Sequence, residues 1–108
     1  MGALGLDTSC ALVTDGKISG FAKGPFICQV SPEAALGGPI ALVQDGDPIE
    51  VDIPNRRLDL LVSPQEIERR RASWVRPAPR FRRGLLSHYA RLAEPAERGA
   101  GLPVEFTP

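Results

Sequence analysis

The chain has 108 residues, 43% of them hydrophobic, and its thirteen basic and thirteen acidic residues give a formal net charge of zero. This is the length of one domain, which we expect to fold alone, and a zero net charge provides no field that would attract nucleic acid or an anionic membrane. Because no apolar stretch approaches the roughly 20 residues that span a bilayer, we expect a cytoplasmic protein with no membrane partner and no nucleic-acid partner.

The chain begins with a Gly-rich segment, residues 1–9, that is typical of an interdomain linker cut short. Apolar runs at Cys10–Thr14 and Phe26–Val30 then predict two short buried strands, the first of which enters a turn at Asp15-Gly16. The loop between these two runs contains both glycine and serine, so it is a candidate position for functional side chains.

A short helical turn is predicted next. Ser31-Pro32-Glu33 has the pattern of a helix start, with an N-cap residue, Pro at the first helical position and an acid in the first turn. Gly37-Gly38 follows where a C-terminal cap would lie. The position of Glu33 is explained by capping and by the helix dipole.

A hairpin is predicted after this turn. Ile40–Val43 and Ile49–Ile53 have the pattern of strands, and they flank Asp45-Gly46-Asp47. The second strand alternates apolar and acidic residues, so one of its faces should be buried. Asp45 and Asp47 form a pair that could bind a metal, but a turn residue is the better explanation for each of them.

The second half of the chain predicts one more strand and a first helix. Leu58–Val62 has the pattern of a strand, and Ser63-Pro64-Gln65-Glu66 is a capping box that opens a helix through Ser73. The Arg69–Arg71 run lies on this helix with Glu66 and Glu68. We interpret it as a solvated face with salt bridges rather than as a phosphate site.

Residues 76–108 follow the predicted domain, which covers residues 10–75. Arg76-Pro77-Ala78-Pro79 is a semi-rigid spacer, and apolar residues recur at helical spacing from Leu85 to Leu92, which predicts an amphipathic helix. Beyond Pro95 the Gly, Ala and Pro content is typical of a mobile tail. Strands and helices in this mixed order predict an α/β fold.

Candidate metal ligands are few. Cys10 and Cys28 each lie beside strand-like apolar residues, so we interpret both as small buried hydrophobic residues. An iron–sulfur cluster needs more thiolates than two, and the one histidine, His88, lies in a helical context. We therefore expect no metal and no cofactor held by this chain alone.

Three motifs follow one another at close spacing: Thr14–Gly20 reads T-D-G-K-I-S-G, Gln29–Ala35 reads Q-V-S-P-E-A-A, and Gly37–Val43 reads G-G-P-I-A-L-V. In this order, followed by Asp45–Asp47, they resemble the carboxy-terminal domain of the IlvD/Edd dehydratase family. Members of that family, chiefly dihydroxy-acid dehydratases, remove water from 2,3-dihydroxy acids or sugar acids to give 2-oxo acids.

The resemblance implies a swivelling β/β/α domain, which is a closed, mixed β-barrel flanked by helices, with a carboxy-terminal helical arm. It also implies an iron–sulfur cluster and Mg²⁺, both held by a large amino-terminal domain that this chain lacks. The chain would then be a fragment, a dissected domain or half of a split enzyme, with that amino-terminal domain as its partner in cis or in trans. A homo-oligomer is a further expectation, with the arm packed on the other domain or on a neighbouring subunit.

The resemblance also implies the site. Ser19 matches the serine that is thought to remove the C2 proton as a base, and the substrate is a small dihydroxy acid. Lys17 stands where arginine is usual and is expected to contact the substrate carboxylate, although a solvated loop lysine is the alternative. Gly20, with Gly16, lets the backbone approach a ligand, although an ordinary Gly/Ser turn is the alternative.

Two departures from the family pattern leave a second function open. Gln29 replaces the usual histidine, and Phe21 stands where a small residue is common. The alternative function is a non-catalytic binding or interaction module that retains the fold. A different swivelling domain, such as the small domain of an aconitase-like isomerase, is a third candidate, and the first two motifs argue against it.

Overall fold

The computed structural model describes residues 2–103, which form a small α/β fold, as predicted. Neither of the helices within this range combines the length and the apolar composition needed to cross a membrane. Single 3₁₀ turns join the longer elements. The strands are β1 (Leu12–Val13), β2 (Phe26–Ile27), β3 (Ile49–Asp52) and β4 (Arg57–Leu60), the helices are α1 (Pro64–Ser73) and α2 (Leu85–Leu92), and the 3₁₀ turns are Gly2–Leu4, Ala34–Leu36, Pro39–Leu42 and Ala96–Arg98.

Strands β1 and β2 pair in parallel, with Leu12 opposite Phe26 and Val13 opposite Ile27. The ladder continues past the strand ends, where Thr14 N donates to Ile27 O at 3.0 Å. Both strands lie where the apolar runs predict them, although each is shorter. A parallel pair needs a crossover connection, and here the crossover is the loop of residues 14–25.

Strands β3 and β4 form an antiparallel hairpin around a turn at residues 53–56. The predicted pairing of Ile40–Val43 with Ile49–Ile53 is wrong, because the first of these segments lies in the 3₁₀ turn Pro39–Leu42. Proline holds φ near −65° and so starts a helical turn readily. A four-residue apolar run has no periodicity of its own that separates a strand from a buried turn.

The predicted helix start at Ser31 is also wrong. Glu33 is still extended, and the 3₁₀ turn begins at Ala34. Its first N–H donates to Asp15 Oδ2 at 2.8 Å, so the cap comes from a residue 19 positions away. Gly37 ends the turn in the left-handed conformation with φ 76°, as expected for a C-terminal cap.

Helix α1 begins as predicted, with Ser63 Oγ accepting from Glu66 N at 3.3 Å and Pro64 at the first helical position. The interpretation of its arginine run as a solvated face is wrong for Arg70, whose side chain is 10% exposed. Arg70 donates to Leu42 O at 2.9 Å and to Asp47 Oδ1 at 3.0 Å. The helix is therefore tied to the turn that precedes β3.

The core is very small. Among the described residues Leu42 is the one hydrophobic residue that is buried, with 4% of its surface exposed. The accessible surface is 8836 Å², whereas a compact monomer of this mass exposes about 5,800 Å². Roughly 3,000 Å² more surface is therefore exposed than on a compact domain of this mass, and the expectation that the chain folds alone stays a prediction.

The predicted closed barrel is wrong for the described residues. Their four strands form two separate two-stranded sheets, β1–β2 and β3–β4. A closed barrel needs the edges of every strand paired around the ring. Four strands of two to four residues cannot close in this way.

Candidate functional site

The exposed loop between β1 and β2, residues 14–25, carries the predicted site residues. We call it the serine loop. Ser19 is exposed at its tip, where Ala22 N donates to Ser19 O at 3.0 Å and closes a turn. Phe21 N donates to Ser19 Oγ at 3.3 Å. The hydroxyl oxygen is therefore held by a backbone N–H while remaining open to solvent.

Both ends of the serine loop are fixed. At its start, Gln29 N donates to Gly16 O at 3.0 Å, and Asp15 caps the next 3₁₀ turn through Ala34 N. At its end, Gly24 has φ 105°, and a Cβ added there would lie 2.9 Å from Asp7 O. Only a glycine fits this contact, so the serine is presented from a supported loop.

The structure brings Lys17, Ser19 and Gly20 together on this loop, and all three are exposed. A Cβ added to Gly20 would meet no atom within 4 Å, and Gly20 is not among the glycines with positive φ. Nothing in the described part of the chain therefore requires a glycine at this position. Any such requirement has to come from a ligand or a partner.

The surface around Ser19 is apolar and basic. The sequence predicts an exposed apolar patch of Ile18, Phe21 and Phe26, and none of these is fully buried, with Phe21 98% and Phe26 37% exposed. The two lysines of the chain, Lys17 and Lys23, lie on either side of Phe21 and are both exposed.

An apolar cavity of about 360 Å³ lies between the two sheets. Sequence reasoning missed it, because its walls come from separate segments between Val13 and Leu60 that only the tertiary fold brings together. The walls do not include the three predicted site residues. Its lining is Val13, Ile27, Cys28, Gln29, Val30, Ser31, Pro39, Ile40, Val43, Ile49, Leu58, Asp59 and Leu60.

Two polar features of this cavity are unusual. Gln29 has φ 56°, a left-handed conformation that costs a non-glycine residue about 1 kcal/mol or more. Ser31 Oγ is buried and has no hydrogen-bond partner. A group bound in the cavity can offset the strain at Gln29 and form a hydrogen bond with Ser31 Oγ.

The cysteines do not form a metal site. Cys10 is exposed, contrary to the expectation of a buried residue, because it precedes the half-exposed strand β1. Cys28 is half-buried at the cavity. Across residues 2–103, no three His, Cys, Asp or Glu side chains come close enough to share a metal ion. Two cysteines are too few for an iron–sulfur cluster held by this chain alone.

Asp45-Gly46-Asp47 forms a turn before β3, as predicted, although this turn does not connect two paired strands. Asp47 Oδ2 accepts from Gln44 N at 2.7 Å. Hydrogen bonds from Arg70, and then from Gln44, lower the pKa of Asp47. Those from Arg69 and Arg70 lower the pKa of Glu66 from 4.5 to about 2.

Glu33 has a role that capping does not explain. Its side chain makes no cap hydrogen bond. Glu33 Oε1 instead accepts from Ala96 N at 2.8 Å, while Oε2 is buried without a partner. The segment after Pro95 is therefore attached to the motif that contains Glu33, at a sequence separation of 63 residues that no local pattern could indicate.

A comparison with models of known protein families shows which family this chain belongs to. Residues 1–100 match the model described as dihydroxy-acid/6-phosphogluconate dehydratase C-terminal. The chain belongs to this family. Among curated proteins it is 58% identical over 98 residues to a dihydroxy-acid dehydratase of Methanothrix thermoacetophila, a match that covers 91% of the chain and 18% of the relative.

Two further dihydroxy-acid dehydratases give the same result. The one from Ignicoccus hospitalis is 58% identical over 100 residues, and the match covers 93% of the chain and 18% of the relative. The one from Trichlorobacter lovleyi is 58% identical over 97 residues, with 90% and 18% covered. The chain thus spans about a fifth of the length of the IlvD/Edd dehydratases that it matches.

Proposed function

We propose that this chain supplies one wall of the active site of a dihydroxy-acid dehydratase, with Ser19 as the base that removes the C2 proton. The observation that carries this proposal is the exposed Ser19 Oγ on a loop fixed at both ends, within a domain of the dehydratase family. The dehydratase names of the relatives support the reaction type.

The proposed reaction converts a 2,3-dihydroxy acid into a 2-oxo acid and water. Ser19 Oγ takes the proton from C2, and the electrons of the C2–H bond form a double bond to C3. The C3–O bond breaks, and the leaving hydroxide takes up a proton to become water. The resulting enol then rearranges to the 2-oxo acid.

A neutral serine hydroxyl is too weak a base for this step, so its alkoxide needs stabilisation. Within this chain the N–H of Phe21 points at the oxygen, and the ammonium group of Lys17 belongs to the same loop. An adjacent cation would add the rest of the stabilisation. We place the iron–sulfur cluster in the part of the enzyme that this chain does not match, because its two cysteines are too few for a cluster. We place Mg²⁺ in the same part, as the resemblance to the family implies.

Lys17 and Gly20 are proposed substrate contacts. An exposed ammonium group beside the base binds the substrate carboxylate as a point charge. Gly20 leaves open space next to Ser19, so that the carbon chain of the substrate can approach the backbone. The free space around Gly20 supports this role, because the domain itself makes no use of the missing side chain.

The partner in this proposal is the remainder of a dehydratase. Obligate interfaces bury about 2,000–5,000 Å² or more counted over both partners, so the roughly 3,000 Å² of excess surface on this chain alone is ample for an interface of this class. We propose that the swivelling β/β/α barrel closes only when further strands from that remainder pair with the two open sheets. A homo-oligomer and a cytoplasmic location stay predictions.

The test uses a chimera in which the chain replaces the matched 98 residues of the Methanothrix thermoacetophila enzyme. We expect Ser19→Ala to lower turnover of a 2,3-dihydroxy acid by roughly two to four orders of magnitude, because a methyl group cannot accept the proton. Production of the 2-oxo acid is the measurement. Ser9→Ala, which also changes an exposed serine, is the control and should retain the parental rate.

A binding module that keeps the fold without the chemistry is the second candidate. The observation in its favour is the apolar cavity, which contains a strained Gln29 and lies apart from Ser19. A chimera with Ser19→Ala that still dehydrates its substrate at the parental rate would remove the base assignment and favour this candidate.

A further inference from the structure

Phe21 is the most exposed large hydrophobic residue in the described part of the chain. Its side chain is 98% accessible, and it lies two residues after Ser19. Exposed aromatic rings lose the free energy that burial would give them and are enriched where a ligand or partner binds. The ring is therefore available to a ligand that binds at Ser19.

The backbone holds Phe21 beside the proposed base. Its N–H donates to Ser19 Oγ at 3.3 Å, so the Cα of Phe21 lies within about 5 Å of that oxygen. A phenyl ring on this Cα is long enough to contact C4 of a substrate whose C2 is at Ser19 Oγ, because C4 is only two bonds beyond C2.

The serine loop carries positive charge on both sides of its exposed ring. Lys17 and Lys23 lie on either side of the Ser19–Ala22 turn, and residues 16–32 contain no acid. The phenyl ring lies between them in the sequence. A carboxylate bound at Lys17 would leave the other end of a short acid to contact the ring.

We propose that Phe21 is a specificity-determining residue, which contacts the substrate beyond C3 and selects dihydroxy acids with an alkyl chain over polyhydroxylated acids such as 6-phosphogluconate. This inference rests on the proposed function. Both substrate classes occur in the description of the family. Against the ring an alkyl group gains by leaving water, whereas each hydroxyl that loses water without a new hydrogen bond is penalised.

The expected size of the effect follows from the value of one apolar contact with the substrate. One methyl or methylene group in an apolar contact changes discrimination by about 10- to 200-fold. For a half-open contact we expect the lower end, about tenfold. Phe21→Ala should therefore weaken binding of an alkyl dihydroxy acid about tenfold, and change binding of 6-phosphogluconate less than about threefold.

The experiment measures equilibrium binding by calorimetry in the chimera with Ser19→Ala, so that no turnover interferes. The two probes are 2,3-dihydroxy-3-methylbutanoate, whose carbons beyond C3 bear no hydroxyl, and 6-phosphogluconate. Phe21→Ala is compared with Ile53→Ala, which removes a side chain that is 79% exposed in the β3–β4 turn. Only Phe21→Ala should change the ratio of the two dissociation constants.

Equal weakening of both probes would overturn the proposal and would indicate that the ring packs on the rest of the enzyme instead. An unchanged ratio, or a chimera that binds neither acid before Phe21 is altered, overturns it as well. Failure of the proposed function has a different signature, because a chimera that retains Ser19 but makes no 2-oxo acid can still show the selective loss of binding.

Discussion

Gly37 and Gly20 differ in whether the fold itself requires a glycine at that position. Gly37 has φ 76°, and a Cβ added there would lie 3.2 Å from Cζ3 of Trp74. Gly20 has neither a left-handed φ nor any atom within reach of such a Cβ. The first glycine serves the packing of this chain, whereas no packing contact in the described residues requires the second.

Gly37→Ala should destabilise the structure by about 1–2 kcal/mol, because alanine is strained at positive φ and its methyl group presses on Trp74. Urea unfolding followed by Trp74 fluorescence would measure this. Gly20→Ala is the matched comparison, with unchanged stability but reduced turnover in the chimera. Equal stability losses in the two variants would contradict this assignment.

A pH dependence follows from Glu66, whose pKa is lowered to about 2 by hydrogen bonds from Arg69 and Arg70. A carboxyl with a depressed pKa in the folded state stabilises that state above its ordinary pKa. Its contribution is therefore complete above pH 4.5 and is lost as the pH falls towards about 2.

We expect the stability difference between the parent and Glu66→Gln to shrink over this pH range, as measured by urea midpoints. Glu68→Gln is the control, because Glu68 is more exposed and its nearest approach to Arg71 is 3.6 Å. A difference that stays constant with pH would contradict the role of the Glu66 hydrogen bonds.

Elements in this fold are joined by single side chains that reach across long stretches of sequence. Asp15 links the serine loop to the 3₁₀ turn that begins at Ala34, and Arg70 links α1 to the turn before β3. The serine loop therefore takes its position from a contact that lies outside the loop itself.

Removal of the Asp15 contact should affect activity more than stability. Loss of a cap costs about 1 kcal/mol, whereas a displacement of about 1 Å at a reacting group costs up to roughly 100-fold in rate. We expect Asp15→Ala in the chimera to lower kcat strongly while the unfolding midpoint shifts little. Asp45→Ala, an exposed acid in another turn, should leave kcat unchanged.

At the scale of the whole molecule, the chain is expanded. Its radius of gyration is 16.6 Å, compared with about 13 Å for a compact domain of this length. Exposed leucine, isoleucine and phenylalanine side chains occur in almost every element. The chain alone lacks the burial that a stable domain of its size normally has.

We expect the isolated chain to show no dehydratase turnover, a radius of gyration in solution clearly above 13 Å, and binding of a dye that reports exposed apolar surface. Small-angle scattering and dye fluorescence would measure the last two. The chimera is the control, and its dye binding should be weaker. A compact isolated chain with turnover of its own would refute both the expansion and the need for a partner.

The sequence by itself determined the local elements and the family. Ser63 and Pro64 start α1 through neighbouring residues, Gly37 ends a turn through its own φ, and α2 follows the spacing of its leucines. These features depend on atoms within about four positions along the chain, which is why they are readable from residue order. The serine loop was predicted for the same reason, since its motif is contiguous.

Only the tertiary structure decided which segments of the chain pair or bond with one another. Ile40 joins a 3₁₀ turn instead of a strand, β3 pairs with β4, and Arg70 and Glu33 bond across 23 to 63 residues. The absence of a closed barrel among the described residues also belongs to this level, because their four strands form two separate sheets. Such choices depend on competition between distant segments for burial and hydrogen bonds, which no local pattern encodes.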